Sequence, residues 1–213
     1  IKIPEEIDYK NNLLETAVVC DAVATPLKII KKARISSFDK VGVIGAGGGL
    51  GIHMLKMLKL NNISAIGIDT KTEKFNTCNE NGAEFSVSPM ENDLKNKIAD
   101  YSKSHDLDVV IDFVSSKSSL ELGCSILGKG GRLVTLGGSG EQFLANSADM
   151  LVKELELIGS RYCTKQELKE SLDLYARGLI EPLVSVKTDF EGAEGLHDKI
   201  EKGEITGRAG LLI

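Results

Sequence analysis

The run Val41-Gly42-Val43-Ile44-Gly45-Ala46-Gly47-Gly48-Gly49-Leu50-Gly51 passes without a break from an apolar strand through glycines into an amphipathic stretch over 52–58. A strand that turns sharply into a helix suits such a run. Glycine lets the backbone turn tightly and approach a ligand closely, and the first amides of the helix then point at an anion with the helix dipole behind them. The run is therefore a candidate cradle for the pyrophosphate of a dinucleotide, supplied by Gly45, Ala46, Gly48, Gly49, Leu50 and Gly51.

A glycine turn alone is weak evidence, because tight strand-to-helix turns use glycine for purely steric reasons. The sequel is more specific. After the helix comes a second apolar strand, 64–68, which leads into Asp69, about 20 residues past the turn. Strand, helix and strand make a βαβ unit, and a carboxylate at that tip accepts hydrogen bonds from both ribose hydroxyls of an adenosine while repelling the extra phosphate of NADP. NAD is thus favoured. The spacing departs from the strict fingerprint: counted back from Gly51, the three positions are Ala46, Gly48 and Gly51, with Gly45 one place ahead. A glycine turn with a surface aspartate and no ligand is the plainer alternative.

Strands alternate with helices along most of the chain. Helices are expected over 15–32, 51–60, 71–81, 90–104 and 116–126, and strands over 40–44, 64–69, 84–87, 108–113, 131–136 and 155–159. Continuous Val/Ile/Leu strands between helices signal an α/β fold: a Rossmann-like, doubly wound parallel sheet in three layers, α/β/α. Ligands of such sheets lie at the carboxyl ends of the strands. The glycine loop, Asp69, the turn Phe113-Val114-Ser115 and Leu136-Gly137-Gly138 should therefore converge on the cofactor. Lys74, a turn into the next helix, either reaches the same ribose or is a solvated lysine.

Composition removes other classes of function. The net charge is −5, no Lys/Arg cluster is long enough to hold a phosphate backbone and Trp is absent, so nucleic acid is not an expected partner. No apolar stretch approaches about 20 residues, no basic-then-apolar leader opens the chain, and a cytoplasmic location is expected. Cys20, Cys78, Cys124 and Cys163 lie far apart without a Cys-x-x-Cys pair, and His53, His105 and His197 are scattered.

Several separated motifs then resemble the medium-chain dehydrogenase/reductase superfamily, and more closely its zinc-dependent alcohol dehydrogenases. They are Pro4-Glu5-Glu6, Asp21-Ala22-Val23-Ala24-Thr25-Pro26, the glycine loop, Gly67-Ile68-Asp69, Gly82-Ala83, Asp108-Val109-Val110-Ile111-Asp112, Gly130-Gly131-Arg132 and Gly207-Arg208-Ala209. The likeness runs from end to end of the chain but covers only the later part of the family's usual length. It implies that residues 1–22 are the tail of a GroES-like catalytic domain, 23–163 the NAD-binding domain and 164–213 the return toward the catalytic domain. It also implies that Thr25 sits near the nicotinamide, Lys74 contacts the adenosine ribose, Val114 packs on the cofactor and Arg208 approaches the pyrophosphate, and that the stretch after Gly159 holds helices over 165–177 and 192–202 and strands over 183–186 and 209–213.

Four residues before Thr25, where the family places a catalytic-zinc ligand, stands Asp21. A carboxylate is an acceptable zinc ligand, though a helix-start cap or a polar boundary residue is the plainer reading of Asp21; one carboxylate does not hold the ion, so zinc is expected only in an intact enzyme. The implied reaction is hydride transfer between an alcohol or carbonyl substrate and nicotinamide, with this stretch alone inactive. Two alternatives stand beside it: a zinc-free quinone or enoyl reductase of the same superfamily, and a non-catalytic nucleotide-binding module. The strand over 155–159, alternating Leu with Glu, suits a sheet edge that joins a second copy, so a homo-oligomer is expected.

Overall fold

The computed structural model describes residues 1–103 and 106–213. Ser104, the expected end of one helix, and His105 lie outside the described residues.

Six strands form one sheet: β1 (Lys40–Ile44), β2 (Ser64–Ile68), β3 (Ser86–Val87), β4 (Leu107–Asp112), β5 (Leu127–Thr135) and β6 (Glu156–Gly159). Their order is β3-β2-β1-β4-β5-β6, and every pairing is parallel. The chain reverses its direction of travel across the sheet between β1 and β4, which opens a crevice at their carboxyl ends. The expected Rossmann-like α/β architecture is thus the observed one.

Helices cover both faces. On one side α2 (Ala24–Lys32) and α3 (Gly49–Leu60) bring Ile29, Ile52 and Leu55 against Val41, Val43, Val109 and Ile111. On the other, α5 (Leu94–Ser102) and α6 (Lys117–Ile126) bring Leu94, Ile98, Leu120 and Ile126 against Ile44, Ile66, Ile68 and Val110. Strand residues alternate between these two cores, so strands buried on both faces read as unbroken apolar runs. Beyond the sheet, α8 (Lys165–Ala176) packs on the N-terminal helices, and β7 (Val184–Thr188) pairs in parallel with β8 (Arg208–Leu211). The helix α9 (Ala193–Glu201) connects those two strands.

Four local differences from the sequence reading stand out. The single helix expected over 15–32 is three pieces: α1 (Leu13–Val18), a π-helical stretch Val19–Val23 and α2. The segment 71–81 begins as a 3₁₀ turn, Thr72–Lys74, before α4 (Phe75–Glu80). Strand β5 starts at Leu127 rather than 131, with a register jump opposite 107–109 that absorbs the glycine-rich stretch before Arg132. The helix α7 (Ser147–Lys153) was not expected; none of its residues is buried, so it leaves no apolar periodicity, and its signal is the cap Asn146, whose side chain accepts from the Ala148 amide at 2.9 Å.

Candidate functional site

A cleft of about 630 Å³ opens beside the carboxyl ends of β1, β2 and β4, marked by Ile44, Ile68 and Phe113. The glycine loop forms its floor. The amides of Gly45 and Ala46 both donate to the Ile68 carbonyl, at 2.9 and 3.3 Å, which locks the loop to the tip of β2. Gly48 then takes the N-cap position in extended geometry with no side-chain cap. The first amides of α3 have no acceptor one turn back and are left for a ligand. Gly51 is where the helix crosses its own entry strand: a Cβ there would stand 2.1 Å from the Gly45 carbonyl oxygen and 2.6 Å from that of Ala46. Only glycine allows that approach.

Asp69 lies at the cleft wall, half-buried, and orders the loop it faces. Its Oδ2 accepts from the Gly47 amide at 2.8 Å and its Oδ1 from the Lys71 amide at 3.0 Å. Each carboxylate oxygen keeps a second lone pair, so the group can still receive two hydroxyls. Lys74 is buried over Gly47, and its Nζ donates to the Ile205 carbonyl at 2.6 Å. Arg208 lies against Gly49, and its guanidinium donates to Asp21 Oδ2.

The cleft brings together Gly45, Gly48, Gly49, Leu50, Gly51, Asp69, Lys74, Val114 and Arg208. It does not bring in the remaining candidates. Ala46 is buried in the core, Leu136 packs partly buried on the same cluster, and Gly137 donates its amide to Ser115 Oγ at 2.8 Å. Thr25 is also outside the cleft; its hydroxyl is buried with no hydrogen-bond partner among the described residues. Asp21 sits in the π-helical stretch as the ion-pair partner of Arg208.

Other lining residues escaped the sequence reading: Pro89 and Met90 after β3, Ser116, Ser118, Ser119 and Leu122 from α6, and Gly203 before β8. The α6 serines carried a legible capping signal, Ser116 followed by Ser119, but nothing local said that this turn faces a ligand. Asp112 was noted only as part of a motif. Fully buried, its Oδ1 accepts from the amides of Val114 and Ser115 at 2.8 and 2.9 Å, and its Oδ2 accepts from Ser119 Oγ at 2.7 Å. It fixes the turn that presents Val114.

His53, one turn into α3, is buried and takes no part in the cleft lining. Leu183 donates its amide to Nε2 at 2.9 Å, so Nδ1 carries the proton and donates to the Gly49 carbonyl at 2.6 Å. Burial lowers its pKa from 6.5 to about 4, with Lys56 and Arg208 adding to the effect. Burial likewise pushes the Cys78 thiol up to about 11, so it is an inert packing group.

The glycine loop, the Asp69 carboxylate and the crevice at the strand-order reversal lie together in this cleft. The model of the zinc-binding dehydrogenase family matches residues 49–177. The chain belongs to the zinc-binding dehydrogenase family. An NAD-dependent alcohol dehydrogenase of Sulfolobus acidocaldarius is 28% identical over 199 residues, covering 92% of this chain and 56% of that protein. The solved alcohol dehydrogenase of Aeropyrum pernix superposes with a TM-score of 0.90 at 28% identity, over 100% of this chain and 61% of that one. Acetophenone reductase of Geotrichum candidum, solved in complex with NAD, gives 0.83 at 28% identity over 99% and 58%. The chain thus spans between 56% and 61% of the length of these relatives.

The family's name raises the question of zinc. Among the described residues no group of three or more His, Cys, Asp or Glu side chains is arranged to hold a metal ion, and the Asp21 carboxylate is engaged by Arg208. The described residues do not form a zinc site by themselves.

Proposed function

We propose that this chain is the NAD-holding portion of an alcohol dehydrogenase-like oxidoreductase, which moves hydride between a small alcohol or carbonyl substrate and nicotinamide. One observation carries the reading: nine residues chosen from the sequence for cofactor binding line one cleft at the switch point of the sheet. The names of the relatives, NAD-dependent alcohol dehydrogenases among them, support the same chemistry.

The residues divide the cofactor among them. Asp69 receives the adenosine ribose hydroxyls, and Lys74 stands beside it. The amides at the start of α3 and the Arg208 guanidinium take the pyrophosphate, while Val114 packs against the cofactor from the β4 side. Thr25 is read as a neighbour of the nicotinamide on the family resemblance alone, since its buried hydroxyl lies outside the cleft. The nicotinamide, when bound, supplies or accepts the hydride; this chain orients it and shields it from water. The domain limits read from the resemblance, 1–22, 23–163 and 164–213, belong to the same proposal.

A homo-oligomer joined through β6 is part of it. Among the described residues that strand pairs with β5 alone, Leu157 on it is 43% exposed, and Leu151 and Val152 of the preceding α7 are 79% and 72% exposed. No helix among the described residues is long and apolar enough to cross a membrane. The described cysteines are free thiols, which suits the proposed cytoplasmic location.

Fluorescence titration with NADH and NADPH tests the cofactor reading. Saturable binding of NADH, at least about tenfold tighter than that of NADPH, is expected from Asp69. Equal affinity, or a preference for NADPH, favours a reductase of the superfamily's other branch; no binding of either removes the proposal.

A further inference from the structure

Arg208 sits where a cation is ill placed. Its guanidinium lies on the first turn of α3: a Cβ built on Gly49 would come within 2.7 Å of Nε and 2.9 Å of Cζ. That end of a helix carries partial positive charge and disfavours a neighbouring cation. The structure offsets this with Asp21, which reaches Arg208 from the π-helical stretch 187 residues earlier and accepts from one terminal nitrogen. A guanidinium has five N–H donors, so the other nitrogens keep donors to spare. The pair is 33% and 40% exposed, at the rim of the cleft rather than in the core, and Arg208 lines the cleft while Asp21 does not.

A helix N-terminus with a guanidinium on it is an anion site, and in this structure its negative charge comes from the protein. We infer that Asp21 is a built-in competitor for the dinucleotide's pyrophosphate, a stand-in anion that neutralises Arg208 and sets the affinity of the site. The inference rests on the cofactor reading above and deepens it. A pyrophosphate arriving at the start of α3 meets two opposing effects. Arg208 and the helix amides attract it, while the Asp21 carboxylate repels it and occupies one edge of the guanidinium. Removing that one negative charge should therefore tighten binding of ligands that carry a pyrophosphate and leave others alone.

The test is calorimetric titration of the full chain with ADP-ribose and with adenosine. Asp21→Asn keeps the size of the side chain and one acceptor oxygen. It should lower the Kd of ADP-ribose by about tenfold at low salt, and the gain should shrink at molar salt as the Debye length falls to about 3 Å. Adenosine affinity should not change. Asp21→Ser, which removes the charge with a smaller side chain, should give the same result and serves if the asparagine variant melts early. Unchanged or weaker ADP-ribose binding in these variants would mean that Asp21 orients Arg208 instead of competing for its ligand, and the inference would fall. Equal tightening toward adenosine would also overturn it. If the unaltered chain binds neither ADP-ribose nor NADH, the cofactor reading itself fails, an outcome distinct from either of these.

Discussion

His53 makes the stability of the fold depend on pH in a way that can be worked out from its surroundings. The ring is fully buried and neutral, with both nitrogens used inside the protein, and burial lowers its pKa from 6.5 to about 4. An unfolded chain protonates this histidine below pH 6.5, whereas the folded one resists protonation down to about 4. The neutral ring therefore contributes its full stability above about pH 6.5 and loses it progressively as the pH falls toward 4. At about 1.36 kcal/mol per pKa unit, the loss between about pH 7.5 and pH 4.5 is about 2.5 kcal/mol. Urea unfolding across that range reads it directly. His53→Gln removes the titration. It should be less stable than the parent by about 1–3 kcal/mol near neutral pH, because the Leu183 amide and the Gly49 carbonyl lose a well-placed partner. The two stability curves should then converge on acidification. Parallel curves would show that His53 is not the group responsible, and a parent protein whose stability is flat over the range would show that the ring is not held neutral.

Gly51→Ala should destabilise the fold by more than about 2 kcal/mol and abolish NADH binding, since its Cβ meets two backbone carbonyls rather than yielding side chains; thermal melts and NADH titration measure both effects. Asp69→Ala should weaken NADH binding by at least about tenfold and reduce the discrimination against NADPH, because it removes the ribose acceptor and frees the Gly47 amide. Gly207→Ala places a side chain at φ +72, with its Cβ 2.8 Å from the Leu183 carbonyl oxygen; a loss of about 1–3 kcal/mol is expected in chemical denaturation. Leu157→Lys puts a charge on the free edge strand and should shift the mass measured by light scattering toward the monomer without altering NADH affinity.

The sheet was legible because its strands are buried on both faces. Val41, Val43, Val109 and Ile111 point to one core and Ile44, Ile66, Ile68 and Val110 to the other, so each strand shows as a continuous apolar run. The loop and Asp69 were legible because their spacing follows from the dimensions of a βαβ unit. What stayed hidden was packing between distant segments. Nothing near Asp21 indicates Arg208, and nothing near Lys74 indicates the Ile205 carbonyl. The break of the first helix into a π-helical stretch left no mark in the residue pattern, since Val19, Ala22 and Val23 are apolar and buried as any helix core would be. For α7 the reason is the reverse: a helix with no fully buried residue, and with Met150 only partly buried against the core, has no stripe to read.

Those distant contacts share a direction, and it bears on how the cleft keeps its shape. The segment that follows α8 touches the cofactor side of the molecule at five places. Lys56 of α3 donates to the Glu181 carbonyl at 2.8 Å, and His53 receives the Leu183 amide. Lys74 donates to the Ile205 carbonyl, Gly207 donates its amide to the Gly47 carbonyl at 3.2 Å, and Arg208 lies on Gly49. A glycine-rich loop is entropically expensive to order, and the βαβ unit alone holds this one only through the tip of β2 and Asp69. The later segment adds a second wall, fastened to the loop, to the first two turns of α3 and to Lys74. One of these fastenings, the His53 ring, is sensitive to protons, and under the inference drawn above Arg208, which lies on Gly49 and pairs with Asp21, is sensitive to anions. Under the cofactor reading proposed above, acidification and cofactor charge act at one place, the start of α3, through His53 and Arg208, which stand 155 residues apart in the chain.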